Sequence, residues 1–203
     1  RLYDPTEGEI LLNGINIKEY EYQQYMNLFS TVFQDYKLFS FSISDNIVLS
    51  KNYSDEKIKM AIHKSGLDEL IKSLEKGTEC CIHKNFEEDG IEPSGGEGQK
   101  FALARALYQN RHIIILDEPA AALDPKAEAE MYENFNNFVD GRLTLYISHR
   151  MSSSRFCDDI LVFRDGKIVE EGSHIDLMKR KRMYYELYRI QAKFYVEDSN
   201  YDI

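Results

Sequence analysis

Two acidic residues follow a continuous apolar run in the middle of the chain. Asp117 and Glu118 come at the end of the segment IIILDE, and residues 112–117 are predicted to form a parallel strand that is buried on both faces. Open α/β folds bind ligands at the carboxyl ends of such strands. Asp117 could face a metal ion there, directly or through water, and Glu118 could act as a general base that positions an attacking water. Solvated acids that cap a strand would give the same pattern.

A histidine follows the next predicted strand. Residues 143–148 (LTLYIS) form a second apolar run, which predicts another buried strand, and His149 comes directly after it. We therefore expect His149 at the same sheet edge as Asp117 and Glu118, where its imidazole could donate a hydrogen bond to a phosphoryl oxygen. A lone histidine at a strand end is more often structural, so the hypothesis depends on this proximity.

Two further polar residues give weaker signals of the same kind. Gln34 comes after a predicted strand over residues 28–33 and offers an amide oxygen to a metal ion or to an attacking water. Asp124 lies in a tight turn after the acidic pair, where an N-cap for the next helix is an equally good interpretation. Neither residue indicates a site by itself.

Ser94, Gly95 and Gly96 stand directly before a run of strong helix formers, FALARAL. Two adjacent glycines cost a helix about 1 kcal/mol each, so the helix itself has no use for them. Small residues at the start of a helix let backbone N–H groups and a hydroxyl approach an anion at the positive end of the helix dipole. The predicted helix spans about 95–109, and its first residues are a candidate anion site.

The elements that must position these residues alternate between strands and helices. This alternation favours an α/β core with an early antiparallel piece and a helical insert near residues 44–107. The other predicted elements are a hairpin around Asn13-Gly14, helical structure over 44–74 with one helix from Asp55 to Gly66, a loop-rich segment over 76–93, a helix over 126–139, a hairpin around Asp165-Gly166 and a helical tail from 175 to about 194.

Composition and charge narrow the classes of protein. The chain has 203 residues, a net charge of −10 and a pI near 5.0, which argue against nucleic acid or an anionic membrane surface as the main partner. Cys80, Cys81 and Cys157 fit neither a disulfide framework nor a metal-binding spacing and indicate reduced thiols. No apolar run reaches the ~18 residues that cross a bilayer. The sequence opens without Met, and we expect a piece of a longer polypeptide.

The order of these segments resembles that of one superfamily. PSGGEGQKFALARAL resembles the signature motif and helix in the nucleotide-binding domain of ATP-binding cassette (ABC) transporters, and IIILDEP resembles its Walker B strand. The resemblance implies a P-loop NTPase-like fold in which Glu118 is the catalytic glutamate and His149 the switch histidine. It implies that Asp124 belongs to the D-loop and Gln34 to the Q-loop. ATP and Mg²⁺ are the implied cofactors, with Asp117 and Gln34 at the metal ion.

The resemblance is closest to the exporter type and implies two protein partners. In such proteins two nucleotide-binding domains pack head to tail, so Ser94, Gly95 and Gly96 would contact the γ-phosphate of ATP held by the second ABC ATPase domain. The stretch from Gln34 to about Asn46 would receive the transmembrane domain, at the cytoplasmic face of the cell membrane. The implied activity is ATP hydrolysis that powers transport across that membrane, with no nucleic acid as partner.

The resemblance also divides the chain into parts. Residues 1–33 and 108–174 would form the α/β core with its antiparallel strands. Residues 34–107 would form the Q-loop and a helical subdomain with the signature motif, and residues 175–203 a helical tail. The predicted fold is thus an α/β, P-loop NTPase-like domain whose N-terminal part is missing.

The largest departure from the family pattern is the lack of a G-x-x-x-x-G-K-[ST] loop, the Walker A motif. Nothing else in the sequence would cradle the α- and β-phosphates, so we expect negligible ATP binding by the isolated chain. The central strand that accompanies this loop in the family would be missing too. Its absence should leave an open sheet edge that favours self-association. A smaller departure is Glu97, where the motif usually has Gln; its charge favours the helix and opposes a phosphate.

Two other functions remain open at this stage. A soluble ABC protein that acts on nucleic acid or ribosomes would carry the same motifs, although the acidic charge and the exporter-like ends of the chain argue against it. A degenerate half-site that binds nucleotide without hydrolysing it is the other alternative. The presence of both Glu118 and His149 argues against that alternative.

Overall fold

The computed structural model describes residues 1, 3–50, 53–85, 87–121, 123, 128, 131, 139 and 141–193, together with the backbone of residues 194–198. Within these residues the strands are β1 (Leu11–Leu12), β2 (Ile15–Asn16), β3 (Phe29–Val32), β4 (Ile113–Asp117), β5 (Leu143–Ile147), β6 (Ile160–Arg164) and β7 (Lys167–Gly172). The helices are α1 (Tyr22–Met26), α2 (Ile43–Val48), α3 (Asp55–Ser65), α4 (Asp68–Ser73), α5 (Gly95–Gln109), α6 (Met151–Ser154), α7 (His174–Arg180) and α8 (Met183–Asp198). Glu128, Met131 and Val139 are also helical, as predicted for 126–139.

The central sheet consists of β3, β4 and β5, which run parallel in that order. Ile113 of β4 pairs with Phe29 on one side and with Leu143 on the other. The pairing of β4 with β5 ends where Asp117 lies opposite Ile147. The carboxyl ends of the strands therefore meet at one edge of the sheet, which is where the sequence analysis expects the site.

One face of this sheet packs against α5. Ile114 and Leu116 of β4 are each 3% exposed and share a core with Phe101 and Ala104 of α5, which are 1% and 0% exposed. Because α5 ends just before β4 begins, the helix runs back across the sheet and starts near the carboxyl end of β4. The predicted anion site and the predicted acidic pair are thereby brought to the same side of the molecule.

The predicted turns and caps of the hairpins and of α3 are confirmed. Asn13 and Gly14 join β1 to β2, and Asp165 and Gly166 join β6 to β7, all with φ between 50° and 79° as a type I′ hairpin turn requires. Ser54 caps the start of α3, because its side chain accepts a hydrogen bond from the Lys57 amide. Gly66, with φ 71°, caps its end.

The structure subdivides two predicted helical segments and corrects one predicted strand. The tail is two helices, because Lys181 adopts φ 50° and interrupts it between α7 and α8. The helical structure predicted over residues 44–74 is confirmed and consists of α2, α3 and α4. The strand over 143–148 is present as β5, but it is not buried: Leu143 is 59% and Leu145 50% exposed, since they lie on the sheet face away from α5, which the described residues leave open.

The α/β fold class is confirmed by the parallel sheet with antiparallel pairs beside it. The division into a core, a helical subdomain and a tail stays a prediction. Across the part of the chain described here, every helix is too short or too polar to span a bilayer.

Candidate functional site

Glu118 and His149 meet at the carboxyl edge of the sheet. Glu118 follows β4, and the His149 ring donates from Nδ1 to Glu118 Oε1 at 2.7 Å. The side chain of Glu118 is 21% exposed, whereas that of His149 is 68% exposed. The expected proximity of the carboxylate and the imidazole is therefore found in the structure, with the ring on the solvent side of the acid.

The backbone of Glu118 is held in an unusual conformation by its neighbours. Its φ of 48° is rare for any residue other than glycine. The Glu118 amide donates to the Ile147 carbonyl at 3.0 Å, and the Glu118 carbonyl accepts from Ala121 N at 3.1 Å and from Gln99 Nε2 at 2.9 Å. Gln99 lies in the fifth position of α5 and is 4% exposed. The start of α5 is thereby tied to the backbone of the candidate base.

Glu118 helps to line a small cavity, and its second carboxylate oxygen is buried. Within the described residues Glu118 Oε2 is buried and has no hydrogen-bond partner. A buried oxygen with unused lone pairs is costly unless something fills the space, and a water there could be both held and polarised by the carboxylate. The cavity is lined by Glu118, Ala120, Ala121, Ser148, His149 and Arg150.

Arg150 fastens the loop that follows β5. Its guanidinium forms an ion pair with Glu128, which is 7% exposed, and donates to the Ala121 carbonyl at 3.4 Å. These contacts join the loop that carries His149 to the segment that follows Glu118. Arg150 was not predicted as part of the site, although it stands next to the candidate histidine in the sequence.

The two candidate metal ligands lie at the ends of neighbouring strands. Asp117 is the last residue of β4 and is half-buried, and Gln34 is exposed, two residues past the end of β3. Asp124, the third acidic candidate, lies outside the described residues. Among the residues that the structure describes, no three His, Cys, Asp or Glu side chains cluster closely enough to hold a metal ion alone. One carboxylate and one amide oxygen suit Mg²⁺ when phosphates and waters complete its shell.

The start of α5 carries a full capping box. Ser94 Oγ accepts from the Glu97 amide at 3.3 Å, and Glu97 Oε2 accepts from the Ser94 amide at 2.8 Å and from the Ser94 hydroxyl at 2.9 Å. Gly95 is exposed and Gly96 half-exposed, so the backbone at the positive end of the helix is open to solvent. The expectation that the two glycines lie at the surface is met, and the Ser94 hydroxyl proton is engaged with Glu97.

Tyr36 ties the segment after Gln34 to this helix start. Its hydroxyl donates to the Gly95 carbonyl at 2.9 Å, and burial raises the pKa of Tyr36, which keeps the donor protonated. A Cβ at Gly98 would lie 2.5 Å from Tyr36 Oη, so the third glycine of the motif is required by close packing. Tyr36 was not predicted, because only the fold brings it within reach of residues 59 positions away.

The chain matches the family described as ABC transporter over residues 1–121, which is more than half of its length. It belongs to the ABC transporter family. The match covers the Ser94–Gly96 motif as well as Asp117 and Glu118.

Several relatives of this ABC family member are exporters by name. The chain is 36% identical over 191 residues to an ATP-dependent lipid A-core flippase of Paraburkholderia xenovorans, covering 94% of this chain and 31% of that protein. It is 38% identical over 190 residues to the leptomycin B resistance protein pmd1 of Schizosaccharomyces pombe, covering 92% and 14%. A solved structure of a bacterial Atm1-family ABC exporter with ATP bound superposes with a TM-score of 0.85 at 32% identity, over 95% of this chain and 33% of that chain.

The ABC chain described here spans about a third of the length of the lipid A-core flippases that it matches. The chain resembles the Atm1-family exporter both in sequence, at 32% identity, and in fold, with a TM-score of 0.85. These relatives support the exporter type among the ABC transporters.

Proposed function

We propose that this chain forms most of an ATP-hydrolysing nucleotide-binding domain that powers transport by an exporter-type ABC transporter. The observation that carries this proposal is the pairing of Glu118 with His149 at 2.7 Å, at the sheet edge of an ABC family chain. Glu118 would position and polarise the attacking water through its buried, unpartnered oxygen. The names of the relatives support the exporter assignment and association with a membrane. The chain would lie at the cytoplasmic face of that membrane.

His149 would stabilise the phosphoryl group that is being transferred. Because its Nδ1–H donates to Glu118, the neutral ring presents Nε2 as an acceptor only. Donation from Nε2 to a phosphoryl oxygen therefore requires the doubly protonated ring, or a ring that has turned away from Glu118. The 68% exposure of the His149 side chain leaves room for that rotation.

The implied cofactors fit the residues present only in part. Asp117 and Gln34 offer the oxygen donors that Mg²⁺ accepts, and the ion would neutralise charge on the phosphates of ATP. The backbone amides of Gly95 and Gly96 would donate to the γ-phosphate of an ATP molecule held by a second ABC domain, packed head to tail. Ser94 would donate with them once its hydroxyl turns away from Glu97 Oε2. Without a phosphate-binding loop, this chain on its own should bind ATP negligibly.

The transmembrane domain would dock on the segment that follows Gln34. Phe39 and Phe41 are 44% and 57% exposed, although they lie beside the buried α2. The Asn46 side chain holds this loop, since its Oδ1 accepts from Phe39 N at 2.8 Å and its Nδ2 donates to Phe39 O at 2.9 Å. A firmly held loop that presents two aromatic rings to solvent is suited to bind a helix of a partner domain.

The test is made in the longer protein that contains this chain. We expect Glu118→Gln to lower phosphate release from ATP by about 10²–10⁴-fold while ATP binding persists, because the substitution removes the base and keeps the shape. Glu88→Gln, at an exposed acid on a loop, is the matched control and should leave the rate unchanged. A Glu118→Gln variant with the parental rate would remove Glu118 from its proposed role.

A further inference from the structure

The C-terminal helix reaches the backbone of the candidate histidine. Gln191, in α8, donates from Nε2 to the His149 carbonyl at 2.7 Å. The same side chain accepts at Oε1 from the Met151 amide, also at 2.7 Å. One amide group thus contacts the peptide groups on both sides of Arg150, across 42 and 40 residues of sequence.

The orientation of this amide is fixed by the chemistry of its partners. A backbone N–H can only donate and a backbone carbonyl can only accept, so the Gln191 oxygen must face Met151 and its nitrogen must face His149. Between these two peptide groups the Arg150 amide donates locally to Ser148 Oγ at 2.9 Å, and the long-range contacts of Arg150 are made by its side chain. Rotation of the His149 peptide group would therefore break the contact with α8.

Helix α8 is itself anchored close to this contact. Tyr184, which is fully buried, shares hydrogen bonds of 2.7 Å with Ser154 Oγ in α6 and with His174 Nδ1 in α7. Its backbone amide donates to Glu170 Oε1 at 3.0 Å, and burial raises the pKa of its phenol, which keeps it a donor. The position of Gln191 is therefore set by the packing of α8 against α6, α7 and β7.

We propose that Gln191 is a positioning residue, which holds the His149 backbone so that the imidazole stays within reach of Glu118 and of the phosphoryl group. Docking of the C-terminal helix then sets the rate of ATP hydrolysis without any contact between that helix and nucleotide. The inference rests on the proposed function, because it requires that His149 act in hydrolysis. It assigns to α8 a role in the chemistry that neither the sequence motifs nor the relatives' names indicate.

The experiment is a double-mutant cycle in the longer protein that contains this chain. Gln191→Met keeps the length of the side chain and removes the amide. We expect Gln191→Met to lower kcat for ATP hydrolysis by about tenfold or more, with little change in KM, because a displaced catalytic group affects the rate more than binding. In a His149→Ala background the same substitution should have no further effect, because its route of action is gone.

A control and the contrary outcomes complete the test. Lys193→Met, at an exposed position of the same helix, should keep the parental kcat in both backgrounds. An equal loss from Gln191→Met with and without His149 would overturn the inference and leave only a structural role for Gln191. Parental kcat in Gln191→Met would overturn it as well. Parental kcat in His149→Ala would instead refute the proposed role of His149, and with it any role of Gln191 that acts through His149.

Discussion

The side chains of helices α2, α3 and α5 pack against one another in a buried core, and we call these helices the closed region. Strands β5, β6 and β7, the strand region, leave most of their apolar side chains at the surface. Ile43 and Ile47 of α2 are fully buried, as is Ile82 in the loop beside them. By contrast, Leu143 of β5 is 59% exposed and Phe163 of β6 is 60% exposed. The two regions use similar apolar residues but differ in how far the described part of the chain buries them.

The candidate site lies where these two regions meet. Glu118 is anchored from the closed region, because Gln99 of the buried helix α5 donates to its carbonyl. His149 extends from β5, whose Leu145 and Ile147 are 50% and 52% exposed. Glu118 is thus positioned by a packed core. His149 is positioned by individual polar contacts, such as those of Gln191 and Arg150.

The largest expected difference is in stability. Phe101→Ala should lower the free energy of unfolding by about 3–5 kcal/mol, because Phe101 is 1% exposed and its removal leaves a cavity in the core. Phe163→Ala, at a side chain that is 60% exposed, should lower it by less than about 1 kcal/mol. Urea unfolding of both variants beside the parent chain measures the two losses. Equal losses would show that the strand region is as well packed as the helical region.

A second effect concerns self-association of the isolated chain. The exposed face of β5 should pair with other copies, and Leu145→Lys should weaken this association by about tenfold or more, since burial of one leucine contributes about 1.5–3 kcal/mol. Met60→Lys, at a 53% exposed position of α3 in the closed region, is the matched control. Sedimentation velocity at several concentrations reports the difference. Association that responds to Met60→Lys and not to Leu145→Lys would reverse the comparison.

The smallest expected effect is the loss of stability when the cap at the start of α5 is removed. Glu97→Ala removes half of the capping box at the start of α5 and should lower the free energy of unfolding by about 1 kcal/mol. Glu97→Gln keeps an acceptor for the Ser94 amide and should cost less than the alanine variant. Thermal unfolding of the two variants side by side provides the measurement. No loss in Glu97→Ala would mean that the buried part of α5 alone determines its stability.

The sequence was sufficient for the elements and for the residues at the strand ends. Strong apolar runs predict β4 and β5, turn dipeptides predict the hairpins, and parallel strands bring Glu118 and His149 to one edge. It was insufficient for burial of β5, because an apolar run does not reveal whether both faces of the sheet are covered.

The contacts that support the site could not be predicted from the sequence either. Gln99, Tyr36 and Gln191 act through hydrogen bonds to backbone atoms of distant residues, and no residue pattern encodes such a partner. For Gln99 a signal did exist, since it is the one polar side chain among the buried residues of α5. Tyr36 and Gln191 lie in segments where polar and aromatic residues are common, so neither stood out.

The close approach of Tyr36 to Gly98 has a mechanical consequence. With a hydroxyl hydrogen bond to Gly95 and no room for a Cβ at Gly98, the ring is wedged against the first turn of α5. A displacement of the stretch around Phe39 and Phe41 should therefore be passed to the first turn of α5 through Tyr36. We expect the segment around Phe39 and Phe41 and the glycine-rich start of α5 to move together as one rigid unit, which Tyr36 connects.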